Sequence, residues 1–241
     1  MKEARYFFVP NAAGENELPE EEALHALRVL RMKSGDEMYL MDGEGTFYRA
    51  VVSLASAKRC LYEITETMPQ KPVWRGRVHV AVAPTKMMER MEWFVEKATE
   101  IGIDEFSFLD CRFSERRMLR ESRLEKIVVS AVKQSRKAWK PVVNPMEPFD
   151  KFVTRPLGGR KYIAHCYDEI ERKDLYDELR NTCDDMDVTV MIGPEGDFSI
   201  EEVRMAMEHG FIPVSLGPCR LRTETAALSA TMMAHLTRRI I

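Results

Sequence analysis

The sequence predicts an α/β protein in two parts: a small β-rich domain over residues 1–70 and a larger domain of alternating strands and helices over 73–241. Three observations lead there. Before residue 68 the apolar residues mostly alternate with a period of two. After residue 72 short apolar runs alternate with stretches whose apolar residues recur every three or four positions. Between them, Met68-Pro69-Gln70-Lys71-Pro72 sets two prolines among polar neighbours, a short stiff linker.

In the first part, Arg5–Val9 reads as extended and aromatic, and Glu20–Leu30 as a short helix with Ala23, Leu24, Leu27 and Leu30 on its apolar side. Glu37–Met41 and Thr46–Leu54 alternate like strands around the turn Asp42-Gly43-Glu44-Gly45, and Leu61–Thr67 is a further strand. Together they suggest a small β-barrel-like domain. In the second part, Val78–Val82 is an apolar strand and Met87–Ile101 a helix. Met87, Met91, Phe94, Ala98 and Ile101 share one face of that helix, and Gly102 stops it. Glu105–Leu109, Lys161–His165 and Val188–Ile192 read as strands, Leu124–Gln134 and about Thr225–Arg239 as helices. This rhythm indicates a parallel sheet covered by helices.

Composition narrows the function classes. With 45% hydrophobic and 31% charged residues the chain is an ordinary globular one, and no apolar run approaches the roughly 20 residues of a membrane helix. The N-terminus lacks the apolar stretch of a signal peptide, so a cytoplasmic protein is expected. Cys60, Cys111, Cys166, Cys183 and Cys219 are odd in number and widely spaced, which argues against disulfides or a zinc site. No His-x-x-x-His or His-Glu-x-x-His pair occurs, and nothing asks for a metal. Between Arg112 and Lys140, ten basic residues face three acidic ones, a local +7 in a chain of net −3. That stretch is either a solvated helix face or a phosphate-contacting patch.

Neither the Gly-x-Gly-x-x-Gly nor the phosphate-loop signature is present, and Gly-x-Ser-x-Gly is missing as well. Two other segments stand out. In the first, the strand ending at Ile192 enters Gly193-Pro194-Glu195-Gly196-Asp197-Phe198, and Ser199 with Glu202 forms the Ser-x-x-Glu box that opens a helix ending at Gly210. A strand–turn–helix of this kind places main-chain groups at the carboxyl end of a sheet, where α/β proteins bind ligands; an ordinary tight turn would look similar. In the second, Ser215-Leu216-Gly217-Pro218-Cys219-Arg220-Leu221-Arg222-Thr223-Glu224-Thr225-Ala226-Ala227 sets a polar, irregular loop before a helix. A cap at Thr223 or Thr225 accounts for part of it.

Read together, these segments closely resemble the bacterial 16S ribosomal RNA uridine-N3 methyltransferases of the RsmE family, in the SPOUT class. Its members typically read I-G-P-E-G-G-F and L-G-x-R-I-L-R-T-E-T-A at these places. Glu92-Trp93 and Glu96-Lys97-Ala98-Thr99-Glu100-Ile101-Gly102 are similar to the family's first helix, and Ser114-Glu115-Arg116 and Gln134-Ser135 to further family positions. His25, Val29-Leu30-Arg31, Lys33 and Gly35-Asp36 resemble its N-terminal RNA-binding domain. Three positions depart from the pattern: Asp197 stands for a usual glycine, Cys219 for arginine and Arg220 for isoleucine.

The resemblance implies a PUA-like domain over 1–70 and a SPOUT trefoil-knot methyltransferase domain over 73–241, acting as a homodimer on 16S ribosomal RNA or the small ribosomal subunit, without a metal. It implies an S-adenosylmethionine pocket at Ile192, Gly193, Gly196, Leu216, Gly217, Leu221 and Thr223. Glu195 or Glu224 is expected to take the uracil N3 proton, with Arg222 stabilising charge on the uracil oxygens. Arg31, Lys33, Arg112, Arg116, Arg117 and Arg136 are the expected RNA contacts. Two alternatives share these features: a ribose 2′-hydroxyl methyltransferase of the same class, and an RNA-binding assembly factor on a degenerate methyltransferase scaffold.

Overall fold

A computed structural model describes residues 4–181 and 186–240; Cys183 lies outside them. The chain divides into two compact units. The first comprises residues up to Pro72 together with Val129–Lys140; the second runs from Val73 to Val128 and resumes at Pro141.

The first unit is a four-stranded sheet in the order β1-β2-β3-β4, with β1 Tyr6–Phe8, β2 Glu37–Met41, β3 Thr46–Ala55 and β4 Cys60–Pro69. The β1–β2 pair is parallel and the others are antiparallel. The alternation seen in the sequence sends Phe7, Met38, Leu40, Ala50, Val52 and Tyr62 into one apolar core. The helix expected over Glu20–Leu30 is α1, Glu20–Leu24, continued by a π-helical turn over His25–Val29. Within Val129–Lys140, Lys133 donates to both Glu22 carboxylate oxygens at 2.6 and 2.9 Å. The Arg136 guanidinium lies 5.2 Å over the Tyr6 ring.

The second unit is a seven-stranded sheet in which every paired strand is parallel. Its strands are β5 Val78–Val82, β6 Glu105–Asp110, β7 Val142–Pro148, β8 Arg160–Ala164, β9 Lys173–Asp174, β10 Val188–Ile192 and β11 Ile212–Ser215, ordered β7-β6-β5-β10-β8-β11-β9. Every residue of β5 and β10 is buried, which is why both appear in the sequence as nearly continuous apolar runs, each broken by one polar residue, His79 or Thr189. Helices α2 Met88–Ile101, α5 Leu175–Arg180 and α7 Thr223–Arg238 pack together, with α7 against β5 and β10. Ala81, Ile163 and Met191 point to a separate cluster with α4 Phe149–Val153 and α6 Ile200–Glu208. Helix α3, Glu121–Ser135, falls partly in each unit. Among the described residues no helix is long and apolar enough to cross a membrane.

The strand order fixes the place for chemistry. From β5 the chain moves outward through β6 and β7, then returns to build the other half from β8 to β11. Loops leaving the carboxyl ends of β5 and β10 therefore diverge. A parallel sheet opens a crevice at such a switch point.

Candidate functional site

A cavity of about 600 Å³ lies beside that switch point, at the carboxyl ends of the neighbouring strands β10, β8 and β11. The turn after β10 supplies Ile192, Gly193, Glu195 and Gly196, and the loop after β11 supplies Leu216, Gly217, Leu221 and Arg222. Thr223 and Glu224, from the first turn of α7, complete the wall. All the residues expected to bind the cofactor or act in catalysis thus line one cavity, although twenty positions separate Gly196 from Leu216 in the chain.

The turn after β10 is held on both sides. The Lys86 N–H, in the loop after β5, donates to Glu195 Oε1 at 2.8 Å. On the other flank the Cys166 N–H, just beyond β8, donates to Asp197 Oδ2 at 2.7 Å. Asp197 has a left-handed backbone, with φ 68°, and its Oδ1 accepts the N–H of Phe198 at 2.8 Å. The following helix carries the capping box expected from Ser199 and Glu202, with both reciprocal hydrogen bonds formed.

Glu224 is the more exposed to chemical demand. Its carboxylate is buried, its Oε1 lies 3.8 Å from Arg90 Nε, and its Oε2 has no hydrogen-bond partner among the described residues. A buried carboxylate oxygen without a donor is costly, so a ligand proton or a water is the natural complement. Arg222 is exposed, and among the described residues its side chain makes no hydrogen bond or ion pair. It is the N-cap of α7 with no side-chain cap, so the helix begins at Thr223, two residues earlier than the sequence suggested.

Several lining residues escaped the sequence reading: Arg90 from α2, His165 and Cys166 after β8, and Arg172. For His165 and Cys166 a signal existed, since they follow an apolar strand at its carboxyl end. Burial pulls the His165 imidazole below its ordinary value; Asp197 opposes this and Arg172 reinforces it. Burial and then Asp197 push the Cys166 thiol up.

The six cations expected to meet RNA have different surroundings. Arg31, Lys33, Arg112 and Arg136 are exposed, and Arg136 rests on Tyr6. Arg116 is committed to the protein: Nε donates to the Thr85 carbonyl at 3.1 Å and an Nη donates to that of Lys86 at 2.6 Å. Arg117 pairs with Asp110 at 2.5 Å and donates to the Arg112 carbonyl.

The chain matches two family models, an RNA methyltransferase domain over residues 72–235 and an RNA methyltransferase PUA domain over 18–65. It is 31% identical over 210 residues to the ribosomal RNA small subunit methyltransferase E of Synechocystis sp., covering 84% of this chain and 67% of that one. A crystal structure of a probable rRNA-methyltransferase from Porphyromonas gingivalis superposes with a TM-score of 0.89 and 42% identity, covering 97% of this chain and 98% of that one. The ribosomal RNA small subunit methyltransferase E of Neisseria gonorrhoeae, bound to S-adenosyl methionine, gives a TM-score of 0.77 and 26% identity over 95% of each chain.

Proposed function

The chain belongs to the RsmE family of ribosomal RNA methyltransferases, and from that premise we propose that it transfers the methyl group of S-adenosylmethionine to N3 of a uridine in 16S ribosomal RNA of the small subunit. One observation carries the reading of the site: the turn after β10 and the loop after β11 converge on one cavity whose wall holds a buried, unpartnered carboxylate oxygen at Glu224. The cavity suits a cofactor held by main-chain groups. A Cβ built on Gly217 would meet no atom within 4 Å, so the backbone there is open to a ligand.

S-adenosylmethionine supplies an electrophilic methyl group that needs no metal. The protein must align the base in line with that group, remove the N3 proton and stabilise the resulting charge. Alignment of the reacting groups is worth roughly 7–11 kcal/mol in the best intramolecular models. Glu224 accepts the N3 proton directly or through a water, because its Oε2 is free, whereas Glu195 already receives the Lys86 N–H. The Arg222 guanidinium, which makes no hydrogen bond or ion pair among the described residues, stabilises negative charge on the uracil oxygens. Ile192, Gly193, Gly196, Leu216, Gly217, Leu221 and Thr223 hold the cofactor.

In the same reading, residues 1–70 form the RNA-binding domain, with Val129–Lys140 part of the same compact unit, and the rest of 73–241 forms the knotted catalytic domain. Arg31, Lys33, Arg112 and Arg136 contact phosphates, while Arg116 and Arg117 position the segment after β6. A homodimer would cover the half-exposed Trp93 of α2 and Met232 and Leu236 of α7.

The deciding assay uses small-subunit particles that lack the modification, with the product located by mass spectrometry of the nucleosides. Methyl on uracil N3 is the expected result; methyl on a ribose 2′-oxygen would overturn the assignment. Glu224→Gln, checked to retain cofactor binding, is expected to slow single-turnover methylation about a hundredfold or more. An unchanged rate would remove Glu224 from the mechanism.

A further inference from the structure

Asp197, one of the three positions noted above as departing from the pattern this chain resembles, has the left-handed backbone conformation, φ 68°, that glycine adopts at no steric cost. Aspartate tolerates that conformation better than most residues but gains nothing from it alone. Its side chain supplies the reason for its presence. Oδ2 accepts the Cys166 N–H at 2.7 Å and Oδ1 accepts the Phe198 N–H at 2.8 Å, so one carboxylate joins the segment after β8 to the turn after β10. A second link runs the other way, from the Tyr167 hydroxyl to the Phe198 carbonyl at 2.7 Å. Phe198 is fully buried and packs on Phe149, so the joined segments are anchored in the core. On the opposite flank Glu195 ties the same turn to Lys86. The turn therefore reaches from the central strand to both of its neighbours through two acidic side chains.

We propose that Asp197 is a positioning residue for cofactor binding: its carboxylate replaces the conformational freedom of glycine with a fixed link that sets the spacing between two walls of the cavity. Charged acceptors make the stronger hydrogen bonds, and holding both walls in place lowers the ordering cost of binding. The inference rests on reading the cavity as the S-adenosylmethionine site.

Two variants separate backbone from side chain. Asp197→Gly keeps the left-handed turn and removes the link; Asp197→Asn keeps the turn and one acceptor oxygen. Three quantities are measured on the full chain: S-adenosylmethionine affinity by calorimetry, steady-state kinetics on small-subunit particles, and amide hydrogen exchange at Cys166. Asp197→Gly is expected to weaken cofactor affinity about tenfold, as loss of a charge-assisted hydrogen bond implies. Its Cys166 amide should exchange faster, its turnover at saturating cofactor should stay within about twofold, and its melting temperature should move by no more than about 2 °C. Asp197→Asn should lie between wild type and Asp197→Gly. Wild-type affinity or wild-type Cys166 exchange in Asp197→Gly overturns the proposal, as does an equal loss in both variants accompanied by lowered melting. If the wild-type protein fails to bind S-adenosylmethionine, the reading of the cavity is wrong, and Cys166 exchange alone decides whether the link exists.

Discussion

The two segments that form the cavity are built in opposite ways. The turn after β10 uses its polar groups on the protein itself. Glu195 and Asp197 accept backbone N–H groups from two other loops, the Asp197 N–H donates to the Pro194 carbonyl, and Ser199 and Glu202 cap the next helix reciprocally. The loop after β11 leaves its two arginine side chains unused among the described residues. Its internal ties are the Ser215 hydroxyl, which exchanges hydrogen bonds with the main chain of Gly217, while Arg220 and Arg222 make no hydrogen bond or ion pair among the described residues. A satisfied turn is a rigid frame, since breaking any tie strands a polar group. An unsatisfied loop keeps its donors available for a ligand and contributes little to stability.

The sharpest way to break this contrast is Arg222→Ala. The side chain is exposed and has no partner among the described residues, so stability should change by no more than about 0.5 kcal/mol. Turnover should nevertheless fall about a hundredfold to a thousandfold, the usual loss when a donor to developing charge is removed. Single-turnover methylation beside a thermal melt reads both; a large melting shift with modest rate loss would place Arg222 in the frame instead.

Next in size is Gly193→Ala, which attacks the tied turn. A Cβ at Gly193 would lie 2.9 Å from the Phe198 nitrogen and 3.1 Å from the Asp197 carbonyl carbon, both backbone atoms that cannot swing aside. The expected cost is about 1–3 kcal/mol of stability, as for other overpacked sites. Cofactor affinity, measured by calorimetry, should drop with it. Wild-type melting would show that the turn is softer than its hydrogen bonds indicate.

The legibility of the two halves in the sequence follows the same division. Strands β5 and β10 were readable residue for residue because parallel strands buried on both faces are nearly continuous apolar runs, here with only His79 and Thr189 polar. Strand β7 was not, because Val142–Pro148 carries two prolines, tolerated since the strand lies at the sheet edge. Strand β11 is four residues with a proline and offers too little pattern. The cavity's two segments were legible as motifs, and the capping box at Ser199 as a local rule. The ties that make one of them rigid were not: the partner of Glu195 lies 109 residues away and that of Asp197 lies 31 away. Arg90 enters the cavity for the same reason, through topology that brings α2 beside α7.

Both segments stand on the same sheet, and its buried polar network supplies a smaller, pH-dependent test. His79 of β5 has Nε2 2.9 Å from Ser107 Oγ and Nδ1 3.4 Å from Thr189 Oγ1. Burial lowers its pKa to about 4, against the pull of Glu105 and with the help of Arg77 and Arg155. The folded protein thus prefers the neutral ring, while the unfolded chain binds the proton near the ordinary 6.5. The contribution to stability is complete above pH 6.5, falls as pH drops through the window, and is lost below about 4. Between pH 7 and pH 5 the loss attributable to His79 should be about 1–2 kcal/mol. Melting curves of wild type and His79→Gln across that range test it; parallel slopes would exclude His79 as the source.

The smallest expected effect is the most discriminating. Gly217 has φ 110°, so Gly217→Ala introduces strain, yet the added Cβ meets nothing within 4 Å. Strain of about 1–3 kcal/mol persists only where the surroundings over-determine the backbone. The loop after β11 has few ties, so it can shift and shed most of that cost, and melting should change by less than about 1 kcal/mol. The shifted main chain, however, no longer presents the surface that the cofactor approaches. Affinity should weaken severalfold while stability holds, whereas Gly193→Ala lowers both. If Gly217→Ala costs as much stability as Gly193→Ala, the loop is as firmly fixed as the turn, and the free state of Arg222 reflects nothing about its role.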